Sequence, residues 1–170
     1  MSPKTARPLL RIFSPISLIA ACFLAYWNTL GAGFTYDAHF IVESNLLIRS
    51  LSVIDIFSAP FWQGFVTEGG GTYYRPFTIL TYAMDFALSG LDPYAFHLTN
   101  LLLHTGTTLL VLQLGRRLIR SERAALFGAI LFAVHPVHTE AVSSVAGRSD
   151  ILVGLFFVST LLVFSAVTGL

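Results

Sequence analysis

Candidate chemistry begins at an aspartate that follows the first apolar stretch of the chain. Asp37 and His39 lie in the sequence FTYDAHF, beyond an uncharged run that starts after Arg11. An aspartate at a membrane–water boundary can act as a general base when its carboxylate reaches a hydroxyl proton. The alternative is that Asp37 simply ends the apolar run. We take Asp37 as the catalytic candidate and His39 as a candidate for substrate binding.

A second candidate site is the tripeptide Tyr74-Arg75-Pro76. Arginine presents a planar fork of donors that suits phosphate oxygens. The alternative is an arginine whose charged end simply reaches the membrane surface while its stem stays in apolar surroundings. The pattern makes Arg75 a candidate for binding phosphate and Tyr74 a candidate for binding substrate.

The stretch HPVHTEAVSSVAGRSD, residues 135–150, concentrates polar side chains between two apolar runs. His135, His138 and Glu140 could bind substrate or, as weaker candidates, a divalent cation, since imidazole and carboxylate suit zinc or manganese. Pro136 interrupts regular helical spacing here, which favours a structural or hydrogen-bonding role over a metal site. The sequence therefore predicts no metal site, and a divalent cation stays open as a cofactor.

Arg148 and Asp150 precede the last apolar run. They could pair with each other, or they could line a site together with Asp37. Charged residues near a bilayer are costly and often functional. We therefore include both among the candidates for binding donor phosphate or substrate.

Three polar residues share one face of the third quarter of the chain. His97, Asn100 and His104 are spaced three, four and seven residues apart, which places them on one side of a helix. Polar side chains in membrane helices often hold neighbouring helices together. Helix packing is therefore the favoured interpretation, and a proton relay is the alternative.

The composition determines the kind of element that must position these residues. Of the 170 residues, 55% are hydrophobic and only 11% are charged. A soluble domain carries about 25% charged residues. The chain is therefore predicted to be an all-α integral membrane protein in contact with the lipid bilayer. A net charge of +1 without a basic stripe argues against a nucleic-acid partner.

Four apolar stretches predict about four transmembrane helices, because a spanning helix needs roughly 20 apolar residues. The predicted spans are residues 12–34, 93–115, 124–139 and 151–170, and the predicted connections are residues 35–92, 116–123 and 140–150. Within the first connection, residues 52–65 and 75–88 are too short or too polar to cross. They predict two helices that lie in the membrane interface.

Basic loops predict the orientation of these spans. Residues 1–11 and 116–123 are both rich in Lys and Arg, which is typical of cytoplasmic segments. Residues 35–92 and 140–150 then share the extracytoplasmic face, in a bacterial inner membrane or in the endoplasmic reticulum. The chain ends directly after an apolar run, so we expect it to be a truncated part of a larger bundle.

Two long motifs resemble a known family. YRPFTILTYAMDFALSGLDPYAFHLTNLLLH and HPVHTEAVSSVAGRSDILVGLFF are similar to sequences of the transmembrane O-mannosyltransferases targeting cadherins and their bacterial relatives. The resemblance covers about residues 34–157. It implies the N-terminal part of a glycosyltransferase of the GT-C class, which is usually followed by tetratricopeptide repeats.

The resemblance also implies a reaction. GT-C enzymes pass a sugar, here mannose, from a polyprenyl-phosphate carrier to a protein or glycan hydroxyl outside the cytoplasm. An aspartate soon after the first span is the expected base in this family, and Asp37 occupies that place. Arg75 or Arg148 would hold the leaving phosphate, and Asp150 would position sugar or acceptor hydroxyls.

Two alternatives stay open. The family often has a pair of acids where this chain has Asp37-Ala38, which favours a non-catalytic scaffold or a degenerate homologue. A transporter is the third hypothesis, because histidines inside the membrane could relay protons. Paired broken helices at corresponding positions, which would support transport, are not evident in the sequence.

Overall fold

The structure is a computed structural model that describes residues 3–61, 73–119 and 121–169, with side chains from residue 11 onward. Residues 62–65 of the first predicted interfacial helix, and Arg120 of the predicted basic loop, lie outside the described residues. Within the described ranges all regular secondary structure is helical, which confirms the all-α prediction.

Seven α-helices form the framework of the described residues. They are α1 (Pro3–Tyr26), α2 (Val53–Ser58), α3 (Pro76–Ser89), α4 (Pro93–Ile119), α5 (Glu122–Val134), α6 (Thr139–Ser143) and α7 (Arg148–Thr168). Short helical turns lie between them: Trp27–Gly31, His39–Glu43, Leu46–Arg49, Pro136–His138 and Val145–Gly147. The helices α2 and α3 belong to the connection between the first two predicted spans.

Three helical segments of the described chain are long and apolar enough to cross a membrane: Arg11–Gly31, Pro93–Ile119 and Val145–Thr168. A fourth is bent by 43° where Glu122–Val134 meets Pro136–Ser143. Pro136 lacks the backbone N–H that a continuous helix needs, which accounts for the break. The predicted third span, residues 124–139, thus corresponds to a bent helix pair, which is either a broken span or a re-entrant loop, and the described residues contain three candidate spans, or four if the bent pair is one span.

One end of the bundle joins two basic segments. Arg116 donates through Nε to the Glu122 carboxylate (3.0 Å) and through Nη2 to the carbonyl of Arg11 (3.2 Å). Ser14 also donates to Glu122 (3.0 Å). The start of the first span and the turn between α4 and α5 therefore lie at the same end, as the sequence predicted. The membrane face at this end stays a prediction.

The predicted loop at 116–123 is shorter than expected. Arg116 and Arg117 belong to the last turn of α4, where positive charge favours the helix C-terminus. Arg117 uses its Nη1 to donate to the carbonyl of Leu162 (3.1 Å), near the end of α7. The helix can continue because these arginines find polar partners at the end of the bundle.

The opposite end carries the segments with the candidate site residues. Asn100, in the first half of α4, donates to the carbonyl of Ser144 (2.8 Å), and Tyr26, the last residue of α1, contacts the carbonyl of His135 (3.5 Å). Gly147 permits the close return of the chain, because a Cβ there would lie 2.6 Å from the backbone of Ala141. The helices therefore alternate in direction.

A separate apolar core, the loop cluster, lies at this end. Its buried members are Ala38, Ile41, Val42, Ile48, Ile56, Phe61, Ile79, Tyr82, Ala83, Phe96 and Val145. They come from the connection after α1, from α2 and α3, from α4 and from the turn before α7. Burial of this apolar surface packs the long connection against α4 and the turn before α7.

The helix α3 supplies one wall of the loop cluster. Pro76 is its first residue, where the missing N–H costs nothing, and Gly90 ends it with φ of 65°. Its 14 residues are too few to cross a bilayer, as the sequence predicted. One face of α3 packs into the cluster through Ile79, Tyr82 and Ala83.

Candidate functional site

A buried ion pair lies at the centre of the polar end of the bundle. Arg148 has no exposed surface, and its Nη1 lies 2.6 Å from Oδ2 of Asp85, which is 5% exposed. Arg148 also donates through Nε to Oδ1 of Asn100 (2.7 Å) and through Nη2 to the carbonyl of Phe96 (2.8 Å). Its guanidinium therefore contacts protein groups on every nitrogen.

This geometry corrects one interpretation of the sequence. The sequence allows an ion pair between Arg148 and Asp150, but Arg148 pairs with Asp85 while Asp150 is exposed. Consecutive residues of the first turn of α7 point in different directions, and Asp150 falls on the outer side. Asp150 therefore remains available to a ligand.

Neighbouring side chains contact both members of the ion pair. Thr99 donates its hydroxyl to Oδ1 of Asp85 (2.7 Å), and the ring of Tyr82 lies 4.5 Å from the Arg148 guanidinium. The Tyr82 hydroxyl donates to the carbonyl of Val145 (2.7 Å). Burial raises the pKa of Tyr82 well above its ordinary value, so the hydroxyl keeps its proton. The pair thus links α3, α4 and α7.

Arg75 lies beside the start of α7. Its Nη1 donates to the hydroxyl of Ser149 (3.1 Å), and its guanidinium stacks on the rings of Phe61 and Tyr73 at 5.2 and 5.3 Å. Arg75 is nevertheless exposed. The structure thus brings Arg75 next to the segment of Arg148 and Asp150, and among the described residues only Ser149 accepts a hydrogen bond from the Arg75 guanidinium.

Asp37 is exposed on a backbone turn whose two sides are both anchored. Before it, the ring of Phe34 packs edge-on against Phe96 at 5.4 Å. After it, Ala38 and Ile41 are buried in the loop cluster. Tyr36 has φ of 48°, an uncommon conformation for a residue with a side chain. The carboxylate is therefore presented on a fixed and strained turn.

His39 and Tyr74 have local partners. His39 pairs through Nδ1 with the carboxylate of Glu43, one helical turn later. Tyr74 donates its hydroxyl to the carbonyl of Phe57 (2.6 Å), which ties the approach to α3 against α2. Both side chains are exposed, so their predicted contact with substrate stays a prediction.

His135 and His138 belong to a ring cluster at the bend between α5 and α6. His138 lies 4.4 Å from the ring of Phe132 and 5.3 Å from that of His104, and His135 accepts from the backbone N–H of Val137 (3.2 Å). These contacts fit the structural role that the sequence favoured. Binding of substrate by His135 or His138 stays a prediction.

Glu140 is exposed in α6. Across the described residues, no three His, Cys, Asp or Glu side chains converge as metal ligands. Binding of substrate by Glu140 stays a prediction.

The polar face of α4 is a packing face. His97, Asn100 and His104 are all buried. Asn100 bonds to the carbonyl of Ser144 and to Arg148, and His104 lies 3.0 Å through Nε2 from the carbonyl of Ala133. Helix packing, predicted from the spacing, is confirmed for Asn100 and His104.

Sequence reasoning missed Asp85, Thr99 and Ser149 as parts of this arrangement. Asp85 carried a usable signal, because it is a charged residue in the middle of an otherwise apolar helix and such a charge requires a partner. Thr99 and Ser149 carried none, since hydroxyl residues are common in membrane helices. Their importance comes from the partners that the fold brings to them.

The apolar helical bundle, with a polar cluster held at one end by a folded connection, defines a multi-pass integral membrane protein. The chain is 41% identical over 143 residues to protein O-mannosyl-transferase tmtc2 of Xenopus laevis, covering 83% of this chain and 17% of the relative. It is 36% identical over 156 residues to protein O-mannosyl-transferase TMTC3 of Mus musculus, covering 91% and 16%. Over most of its length the chain therefore belongs to the family of the transmembrane protein O-mannosyl-transferases.

The chain corresponds to a limited part of its relatives. It covers 19% of protein O-mannosyl-transferase TMTC4 of Homo sapiens, to which 141 residues are 38% identical. It spans about a sixth of the length of the Xenopus and mouse relatives. No protein-family model matches the chain, and no solved structure matches it.

Proposed function

We propose that this chain forms part of a glycosyltransferase that moves a sugar from a polyprenyl-phosphate carrier to a protein or glycan hydroxyl on the extracytoplasmic side. Relatives named as protein O-mannosyl-transferases support mannose as the sugar. A carrier with a lipid tail requires a site at the membrane boundary, and the loop cluster lies at the end of the apolar helices.

One observation carries the proposal. The loop cluster holds the turn of Asp37 and the helix that follows Arg75 in a single packed unit, yet leaves both charged side chains exposed. A carboxylate and a guanidinium fixed on one small platform are the two groups that sugar transfer from a phosphate needs.

Asp37 is the proposed general base. Its carboxylate accepts the proton of the acceptor hydroxyl, whose oxygen attacks the anomeric carbon of the sugar. The bond from that carbon to the phosphate oxygen breaks, and the electron pair leaves with the polyprenyl phosphate. Attack opposite the leaving group inverts the configuration at the anomeric carbon.

Arg75 is the proposed ligand of the leaving phosphate. Two aromatic rings and the bond to Ser149 hold its guanidinium in place, and no further acceptor for its N–H groups is found among the described residues, so these groups can donate to phosphate oxygens. Asp150, which is exposed and follows Ser149 in the sequence, is proposed to position sugar or acceptor hydroxyls. His39, Tyr74, His135, His138 and Glu140 remain further candidates for contact with substrate.

Arg148 is a candidate for phosphate binding from the sequence, but its buried contacts argue against that role. Each of its guanidinium nitrogens already contacts a protein group, and the side chain is buried, so presenting it to the donor phosphate would disturb the ion pair with Asp85. Separating buried charges is costly. We therefore assign phosphate binding to Arg75 and not to Arg148.

The proposed reaction also requires a particular orientation of the bundle in the membrane. The basic end of the bundle, with Arg11 and Arg116, faces the cytoplasm, which is typical of loops rich in Lys and Arg. The helices α2 and α3 then lie at the extracytoplasmic surface. Exposed apolar side chains on α2, Val53 and Ile54, suit contact with lipid there.

Replacement of Arg75 tests this assignment. Arg75→Ala is expected to weaken binding of polyprenyl phosphate by about tenfold to a hundredfold, because a charge-assisted hydrogen bond contributes about 1.5–3 kcal/mol. The measurement is equilibrium binding of the carrier lipid to the purified intact protein in detergent micelles.

Arg49→Ala is the matched control. Arg49 is an exposed arginine of the same connection and also lies over a ring, that of Phe86, at 5.1 Å. It is expected to leave carrier binding unchanged. Equal effects of the two substitutions would show only a general contribution of positive charge, and would remove Arg75 from the proposed site.

A further inference from the structure

The exposed guanidinium of Arg75 is held by a buried hydroxyl. Ser149 is 7% exposed, and its Oγ accepts from Arg75 (3.1 Å) and lies 3.4 Å from the Oγ1 of Thr78. Arg75 and Thr78 are at the start of α3, and Ser149 is in the first turn of α7. The position of Arg75 therefore depends on how α3 lies against α7.

Arg148 makes a second contact between α7 and α3. Arg148 precedes Ser149 and reaches Asp85, which lies farther along α3. Asp85 is in turn fixed by Thr99 of α4, and Arg148 by Asn100 of the same helix. Two contacts at separate positions along α3 thus set its register against α7.

We propose that the buried Arg148–Asp85 pair is a positioning device that holds α3 in the register at which Arg75 meets the donor phosphate. The proposal rests on the proposed function only in taking the donor phosphate as the ligand of Arg75. Arg148 and Asp85 are positioning residues, since they act through the helix that carries Arg75.

Stability alone does not account for the pair. Each buried ion costs several kcal/mol in lost hydration, and a well-packed apolar replacement of similar volume is often neutral or stabilising. An ion pair has a strict requirement of distance and direction that apolar packing lacks. Its advantage here is a defined register, which an apolar contact would specify less strictly.

A double substitution separates register from stability. Asp85→Leu combined with Arg148→Met removes both charges together and leaves no unpaired ion. We expect it to approach the thermal stability of the unmodified protein. Binding of polyprenyl phosphate is nevertheless expected to weaken by about tenfold, the scale of coupling between contacting residues.

A cysteine pair reports the register without any activity. Thr78→Cys and Ser149→Cys are introduced in a Cys22→Ala background, because Cys22 is the cysteine of this chain. The two native side-chain oxygens are 3.4 Å apart, so sulfurs at these positions can approach bonding distance. We expect copper phenanthroline to crosslink this pair readily, and about tenfold more slowly when Asp85→Leu and Arg148→Met are added.

Each outcome decides the proposal. Slower crosslinking together with weaker carrier binding supports it, and slower crosslinking with unchanged carrier binding would overturn it. Crosslinking and carrier binding that both stay unchanged in the stable double variant would overturn it. Slower crosslinking in a protein that never binds the carrier would instead reject the proposed function while leaving the register role in place.

A milder variant covers the case in which the double variant does not fold. Thr99→Val keeps both charges and removes only the hydroxyl that orients Asp85. We expect crosslinking of the same cysteine pair to slow by at least about twofold, in line with the smaller value of one hydrogen bond. An unchanged rate in this variant would then overturn the proposal.

Discussion

Asp37→Asn is expected to lower the rate of sugar transfer by about 10²- to 10⁴-fold, the usual contribution of a general base. Asparagine keeps the size of the side chain but cannot accept the proton of the acceptor hydroxyl. The turn itself should persist, because Phe34, Ala38 and Ile41 anchor it on both sides. The change therefore removes the chemistry and leaves the fold.

The measurement is single-turnover transfer from polyprenyl-phosphate mannose by the intact protein, together with equilibrium binding of the carrier. We expect the rate to fall and carrier binding to be preserved. Asp55→Asn is the matched control, because Asp55 is another exposed acid of the same connection. Full activity of Asp37→Asn would exclude Asp37 as the base.

Arg148→Met is expected to destabilise the protein by about 3–5 kcal/mol, the cost of leaving one member of a buried ion pair without its partner. Asp85 would remain nearly enclosed with only the Thr99 hydroxyl as a hydrogen-bond donor to its carboxylate. Methionine is flexible enough to fill much of the space of the arginine stem. The loss is therefore electrostatic, and a second substitution of Asp85 should recover much of it.

Thermal unfolding in detergent measures this effect. Arg117→Met is the matched control, since Arg117 is exposed and its bond to the carbonyl of Leu162 lies at the surface. It is expected to cost less than about 1 kcal/mol. An Arg148→Met variant as stable as this control would contradict the structural importance of the buried ion pair.

The sequence predicted the membrane character and the approximate location of the spans, because hydrophobicity is summed over long segments and needs no knowledge of contacts. It also predicted the start of α3 at Arg75-Pro76, since proline is favoured in a first turn. The bend in the predicted third span was predicted only in part. Pro136 indicated an interruption, but the bend of 43° depends on how α6 packs.

The candidate site was less predictable, because it depends on contacts between distant segments. Asp85 and Arg148 lie in different motifs, and no local spacing relates them. From the sequence, Arg148 is expected to be accessible, because charge alone does not reveal that a side chain is buried. The sequence likewise does not show the contacts of the exposed Arg75. Its aromatic neighbours Phe61 and Tyr73 and its hydrogen-bond partner Ser149 become evident only in the folded chain.

The central claim is that this end of the bundle serves sugar transfer from a lipid phosphate. Its most direct test is incubation of the intact protein, reconstituted in liposomes, with radiolabelled polyprenyl-phosphate mannose and a protein acceptor rich in Ser and Thr. We expect mannose on acceptor hydroxyls with release of polyprenyl phosphate, and loss of both in Asp37→Asn. Saturable binding of the carrier without any transfer would contradict the proposed reaction and would favour a degenerate homologue that does not catalyse transfer.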